Sequence, residues 1–256
     1  MRYGSGPLAN TPTVVKNLVF INAIVLLMDW VGNGQFLGLD LGRTLGLHYI
    51  SSPEFRPWQL VTYMFAHGSL FHLLGNMMGL FFLGAPLEYR WGSKRFLTYY
   101  MICGVGAALI NMGVQAWEYN NLAAVLSDEE LLGMKHGGMA WLQSYADTGG
   151  EVSPDLIMLA QLFFTPMVGA SGAVFGILIA FGMLYPNVEL MIFPLPIPIK
   201  AKYFVTLYGL YTVYAGYAGI AGLPGGGGNI AHFAHLGGLV VGFITLMIWK
   251  RRLPHT

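Results

Sequence analysis

Long apolar runs separated by short polar clusters dominate this chain, and their lengths predict helices that cross a membrane. A span needs about 20 mostly apolar residues to traverse a hydrocarbon core about 30 Å thick. Leu70–Leu87, Phe96–Trp117, Tyr203–Leu223 and Ile230–Trp249 contain no Asp, Glu, Lys or Arg. Leu156–Tyr185 is equally uncharged but is interrupted by Pro166. Proline lacks an N–H and favours the first turn of a helix. That predicts a span over Pro166–Tyr185, with Leu156–Thr165 as a lead-in near the surface. Val14–Val31 carries Lys16 and Asp29 close to its ends, where charged side chains can reach the interface. The pattern therefore predicts an all-α membrane protein, a bundle of six transmembrane helices. Leu190–Ile199 is apolar but too short to cross, and Pro194, Pro196 and Pro198 make it an extended connection at the membrane face. Met1–Thr13 lacks the basic start and short apolar core of a cleavable signal peptide.

Composition agrees with the pattern. Of 256 residues 55% are hydrophobic and only 10% charged, and the mean hydropathy is +0.57. A soluble domain carries about 25% charged residues, and disordered chains are polar and charge-rich. Both classes are excluded. The single cysteine, Cys103, rules out a disulfide scaffold. A net charge of +1 with no basic tract gives no support to nucleic-acid binding.

The basic residues orient the bundle. With six spans both ends lie on one side, together with Arg2, Lys16, Arg90, Lys94, Arg95, Lys200, Lys202, Lys250, Arg251 and Arg252. The other side holds Arg43, Arg56 and Lys135. Both termini are thus expected in the cytoplasm. The organisation reads as an N-terminal cytoplasmic segment 1–13, a bundle 14–252 and a cytoplasmic tail 253–256. External loops fall at about 32–69, 118–155 and 224–229. The second is read as a polar loop whose acidic run, Asp128, Glu129 and Glu130, is a solvated surface. The third contains Gly225–Gly228. No internal repeat suggests a duplicated transporter.

Polar side chains inside spans are costly and each needs a reason. His72 and Asn76 lie in the second span, Ser171 in the fourth, and His232 and His235 in the sixth. Taken singly they have structural readings. A serine commonly bonds its own helix backbone, and an asparagine or histidine can bridge helices. Depth changes the picture. At 1.5 Å per residue, Ser171 lies roughly 21 Å from Tyr185. His235 lies roughly 22 Å from Lys250, and His72 the same from Leu87. All three fall about 10 Å below the external surface of a core about 30 Å thick. Asn76 shares a helix face with His72. Gly169-Ala170-Ser171-Gly172 places the serine near a helix start, where unpaired N–H groups can stabilise an oxyanion. Gly172 with Gly176, and Gly238 with Gly242, form small faces that let two helices approach closely.

These motifs, in this order, resemble the rhomboid intramembrane serine proteases of the basic six-span form, over about Val14 to Arg252. Gly169-Ala170-Ser171-Gly172 matches that family's GxSG, which implies Ser171 as nucleophile. Ala234-His235 with Gly238 and Gly242 matches AHxxGxxxG, which implies His235 as base of a Ser–His dyad. His72 through Asn76 matches HxxxN and implies that both line an oxyanion and substrate-binding hole with the backbone of Gly169 and Ala170. Glu88-Tyr89-Arg90-Trp91-Gly92 is similar to ExRxG, a structural stretch. One departure is Trp58-Gln59, where many members have Trp-Arg. His232 is read as structural or mouth-lining, and His67 and His136 as ordinary polar surface residues. The resemblance implies a serine endopeptidase acting on transmembrane protein substrates within the lipid bilayer, in a bacterial inner (plasma) membrane. It also implies lateral substrate entry beside the fifth span, capped by the loop Pro224–Asn229. No metal, organic cofactor or nucleic acid is expected. Two other functions fit the composition: a catalytically silent member that binds membrane clients, and a metal or proton transporter using His72, His232 and His235.

Overall fold

The structure is a computed structural model and describes residues 11–192, 195–220 and 229–252. The expected cap, Pro224–Asn229, lies outside the described residues except for Asn229. The chain begins with α1 (Thr13–Val31), followed by a two-residue antiparallel ribbon, β1 (Gln35–Phe36) with β2 (Leu39–Asp40). Two short helices follow, α2 (Leu41–Leu45) and α3 (Gln59–Thr62). The second long helical stretch comprises α4 (Leu70–Gly79), a π-turn over Leu80–Gly84, and α5 (Ala85–Trp91). Pro86 at the start of α5 has no N–H to continue an α-helical ladder, which accounts for the widened turn before it. Gly92, at φ 78°, then reverses the chain into α6 (Ser93–Ala123). After α7 (Asp128–Asp147) and α8 (Pro154–Phe164) come α9 (Ser171–Leu184), the hairpin β3 (Glu189–Ile192) and β4 (Leu195–Lys200), α10 (Ala201–Ile220) and α11 (Asn229–Arg252).

Among the described residues, four helices are long and apolar enough to cross a membrane: Thr13–Val31, Leu70–Trp91, Ser93–Ala123 and His232–Lys250. The chain is thus a multi-pass integral membrane protein. The helices expected as the fourth and fifth spans differ from these four. Tyrosines and glycines dilute the apolar character of α10, and α9 has only 14 residues. The shortness of α9 corrects the reading of Pro166 as a helix start. Pro166 disfavours helical geometry in the residue before it, and Thr165 is extended at φ −98°, ψ 103°. Pro166 therefore ends α8. Beyond it Met167 pairs antiparallel with Leu47, each N–H donating to the other's carbonyl at 2.8 Å, and Gly169 N–H donates to Tyr63 O at 2.9 Å. The backbone between α8 and α9 is spent on the connection between α1 and α4, and helix begins only at Ser171.

The segment 118–155 is also not a loop. It contains the end of α6, all of α7 and the first residues of α8, packed with Tyr49 around Leu122, Met134, Leu159 and Phe163 as a second apolar core. Its acidic run is a helix start. Ser127 and Glu130 form a reciprocal capping box, and Asp128, Glu129 and Glu130 occupy the first turn, where a helix favours negative charge. The loop between α1 and α4 is organised by Gln59, which is buried. Its Oε1 accepts from the N–H groups of His48 and Arg56, and its Nε2 donates to the carbonyls of Arg43 and Glu54. Gln59 thus knits the loop from four directions. Arg43 and Glu54 pair across the loop surface.

The main core lies where α6, α9 and α11 meet. A side chain at Gly238 would collide with the Gly172 carbonyl, and one at Gly242 with the Gly176 backbone. The two small faces read from the sequence therefore face each other. Behind them Tyr99 and Tyr63 on neighbouring elements donate hydroxyl hydrogen bonds to Gly176 O and Gly104 O, both at 2.8 Å. At the opposite end Glu88 is buried. Its carboxylate accepts from the N–H groups of Val14 and Val15 and from the Ser93 hydroxyl, joining α1, α5 and α6. Overpacking a close seam costs about 1–3 kcal/mol. Gly238→Val is expected to lose at least that much in denaturant unfolding. Gly113→Ala, in open space on α6, is expected to be neutral or to gain up to about 1 kcal/mol.

Candidate active site

Ser171 is the first residue of α9, with Ala170 as the capping residue. The first N–H groups of a helix have no intrahelical partner and carry partial positive charge. The serine thus stands at a donor-rich end. His235 comes from the second turn of α11 and lies on the side facing α9, because the glycine seam draws the two backbones together. Its Nε2 is 2.8 Å from Ser171 Oγ. That is hydrogen-bond distance for a hydroxyl nucleophile and an imidazole base. Phe175, one turn beyond Ser171 on the same face, stacks on the imidazole with centroids 4.1 Å apart and planes at 8°.

Gly169 sits against the other two predicted residues. Its φ is +117°, and a side chain there would run into Nε2 of His72 and approach Nδ2 of Asn76. Glycine is therefore required both by conformation and by space. Asn76 is buried and donates from Nδ2 to His72 O at 3.1 Å, which fixes its rotamer one turn below the imidazole. The Gly169 N–H is taken by Tyr63 O, so this residue shapes the hole rather than offering a donor to it. Ala170 is fully buried behind Ser171. Ser171, His235, His72 and Gly169 all line a cavity of about 580 Å³, and Glu118 and Gln161 stand in its wall. The volume is that of a ligand-sized cleft. The site can bring a hydroxyl, an imidazole and polar donors to bear on one carbonyl group.

His232 does not line this cavity. Its ring meets His235 edge-on at 6.5 Å and Tyr211 at 6.2 Å. His136 is exposed on α7. His67 corrects its reading as a surface residue. It is 6% exposed and meets His72 edge-on at 5.0 Å, because the turn before α4 folds inward. Phe175, Tyr63, Glu118 and Gln161 were not anticipated. Phe175 alone left a signal, being four residues from Ser171 on one helix face. Among the described residues, no cluster of three or more His, Cys, Asp or Glu could hold a metal ion.

A family model described as "Rhomboid domain" matches residues 54–252. The chain is similar to "Rhomboid-like protease 3" of Toxoplasma gondii, 27% identical over 64% of this chain and 61% of that protein. It is similar to "Rhomboid protease GlpG" of Yersinia pestis, 30% identical over 37% of this chain and 32% of that protein. It is also similar to "RHOMBOID-like protein 12, mitochondrial" of Arabidopsis thaliana, 26% identical over 72% of this chain and 46% of that protein. The chain spans less than two thirds of the length of each of these relatives.

Burial, and secondarily the neighbouring His72, lower the pKa of His67 to about 4. A folded-state pKa below the unfolded value means that folding releases a proton. The stabilisation is present above the unfolded histidine pKa of about 6.5 and is lost as pH falls toward 4. The thermal midpoint in detergent is expected to drop over that window, and His67→Phe to flatten the drop. An unchanged pH slope in the variant would refute this.

Proposed function

The chain belongs to the rhomboid family, and from that premise we propose that it is an intramembrane serine endopeptidase working through a Ser171–His235 dyad. The observation that carries the reading is the 2.8 Å contact between His235 Nε2 and Ser171 Oγ at the edge of an open cavity. His235 takes the hydroxyl proton as Ser171 attacks the scissile carbonyl. The tetrahedral oxyanion then lies between the start of α9 and the side chains of His72 and Asn76, which supply polar donors to it. His235 returns the proton to the leaving amine, giving an acyl-enzyme. Water then attacks the acyl carbon, His235 again takes the proton, and Ser171 Oγ leaves and is reprotonated.

The topology belongs to the same proposal. The helices α1, α4–α5, α6, α9, α10 and α11 form six crossings, with both termini on the basic, cytoplasmic side. Ser171 and His235 then lie about 10 Å below the external surface, within reach of water through the cavity. Substrates are membrane proteins cleaved in or near a transmembrane segment. Nothing in the donor set calls for a metal or an organic cofactor.

The test is reconstitution of the full chain with model transmembrane substrates. Wild type is expected to cleave, and Ser171→Ala and His235→Ala each to lose about three orders of magnitude or more in kcat. Cleavage that survives Ser171→Ala would sink the dyad. A folded wild type that cleaves nothing in several bilayers would favour a silent client-binding member instead.

A further inference from the structure

The imidazole of His235 is the inner end of a column of rings that reaches another helix. Phe175 covers one face of it, as described above. Phe175 also stacks with Tyr208 of α10, with centroids 5.1 Å apart and planes at 28°. Tyr208 is in turn flanked by Phe204 at 5.6 Å and Tyr211 at 6.1 Å, both nearly parallel to it. Tyr211 meets His232 edge-on, and His232 meets His235 edge-on, so the contacts close into a circuit. The circuit joins α9, α10 and α11 around the base. The catalytic mechanism above uses none of the rings from α10.

We propose that Tyr208 is a positioning residue for the reaction: its ring holds Phe175 against His235, so that the packing of α10 keeps the imidazole aligned with Ser171. The inference rests on the protease reading above. A histidine side chain pivots about two dihedrals, and a proton transfer to Nε2 needs both the distance and the angle to Oγ. The Ser171 contact fixes one atom of the ring, and the Phe175 stack fixes its plane. Phe175 is buried, and the ring that stacks on it from α10 is that of Tyr208. Removing that ring leaves Phe175 free to tilt outward and the imidazole to follow. An offset aromatic pair is worth about 0.5–1.5 kcal/mol beyond its buried area. Lost from the alignment of a base, that corresponds to about a two- to tenfold fall in rate. The effect belongs to kcat, because Phe175 and the rings of α10 do not line the cavity and reach it only through His235.

The test compares Tyr208→Leu, Tyr208→Met and Tyr208→Phe in reconstituted full-length protein on one transmembrane substrate. Both aliphatic variants are expected to lose about two- to tenfold in kcat with little change in KM, and Tyr208→Phe to retain wild-type kcat, since the stack uses the ring and not the hydroxyl. Tyr217→Leu, an exposed position on the same helix outside the column, controls for loss of a tyrosine from α10. Unfolding midpoints show which variants fold, and two aliphatic replacements keep the test open if one does not. Aliphatic variants with unchanged kcat overturn the inference. So does a loss confined to KM, or a Phe variant as impaired as Leu. Wild type without cleavage overturns the protease reading instead, which keeps the two failures distinct.

Discussion

Contact between two glycine faces is the constraint on which the site depends. Ser171 and His235 are 64 positions apart in the chain and sit on different helices. Ordinary helix pairs pack with axes 8–10 Å apart. At Gly172 against Gly238, and Gly176 against Gly242, the backbones themselves touch. In lipid the hydrophobic effect does not drive helices together, so close packing and hydrogen bonds must hold them. The tyrosines on the reverse of the seam supply those bonds. Tyr99 serves the carbonyl of Gly176, which lies in the contact itself, and Tyr63 ties the first loop to α6. The same seam that brings Ser171 to His235 therefore also decides the stability of the core.

Much of this was legible in the sequence because a bilayer makes polar residues conspicuous. Charge-free runs located the long helices to within a few residues, and the few polar side chains inside them included Ser171, His235, His72 and Asn76, though not Tyr63, Glu118 or Gln161 beside them. What could not be read was the consequence of pairing between distant backbones. Pro166 is compatible with either beginning α9 or ending α8. The choice rests on Met167 pairing with Leu47, some 120 residues upstream, and no local pattern encodes it. His67 was misread for a related reason. A polar residue in a loop is ordinarily solvated, and only the inward fold of that loop buries it. The acidic run in 118–155 was different. Ser127 followed three residues later by Glu130 is a capping signature, and charge content alone obscured it.

Two layers of support act on the dyad from different directions. The glycine seam sets the separation of α9 and α11, and so the distance from Nε2 to Oγ. The ring column sets the plane of the imidazole and draws on α10, whose outer face is largely exposed tyrosine and leucine. The helix that contributes no polar side chain to the site is thereby connected to its geometry. A fold that fixed both distance and plane through one pair of helices would have no such dependence on α10.

The short α9 has a chemical consequence that a longer helix would forfeit. Had helix begun at Pro166, the N–H of Ser171 would donate to the carbonyl four residues earlier, that of Met167. That carbonyl instead accepts from Leu47 N–H. Holding Met167 in a two-residue bridge to the connection between α1 and α4 stops the helix from growing backwards, so α9 begins at Ser171. The unpaired N–H groups and the positive end of the helix dipole then lie beside the Ser171 hydroxyl. That connection, which contributes no candidate dyad residue, thus determines where the helix dipole ends. Gln59, by holding that loop from four directions, maintains the segment that Met167 pairs with. Pairing far from Ser171 in the chain therefore underlies the electrostatics beside its hydroxyl.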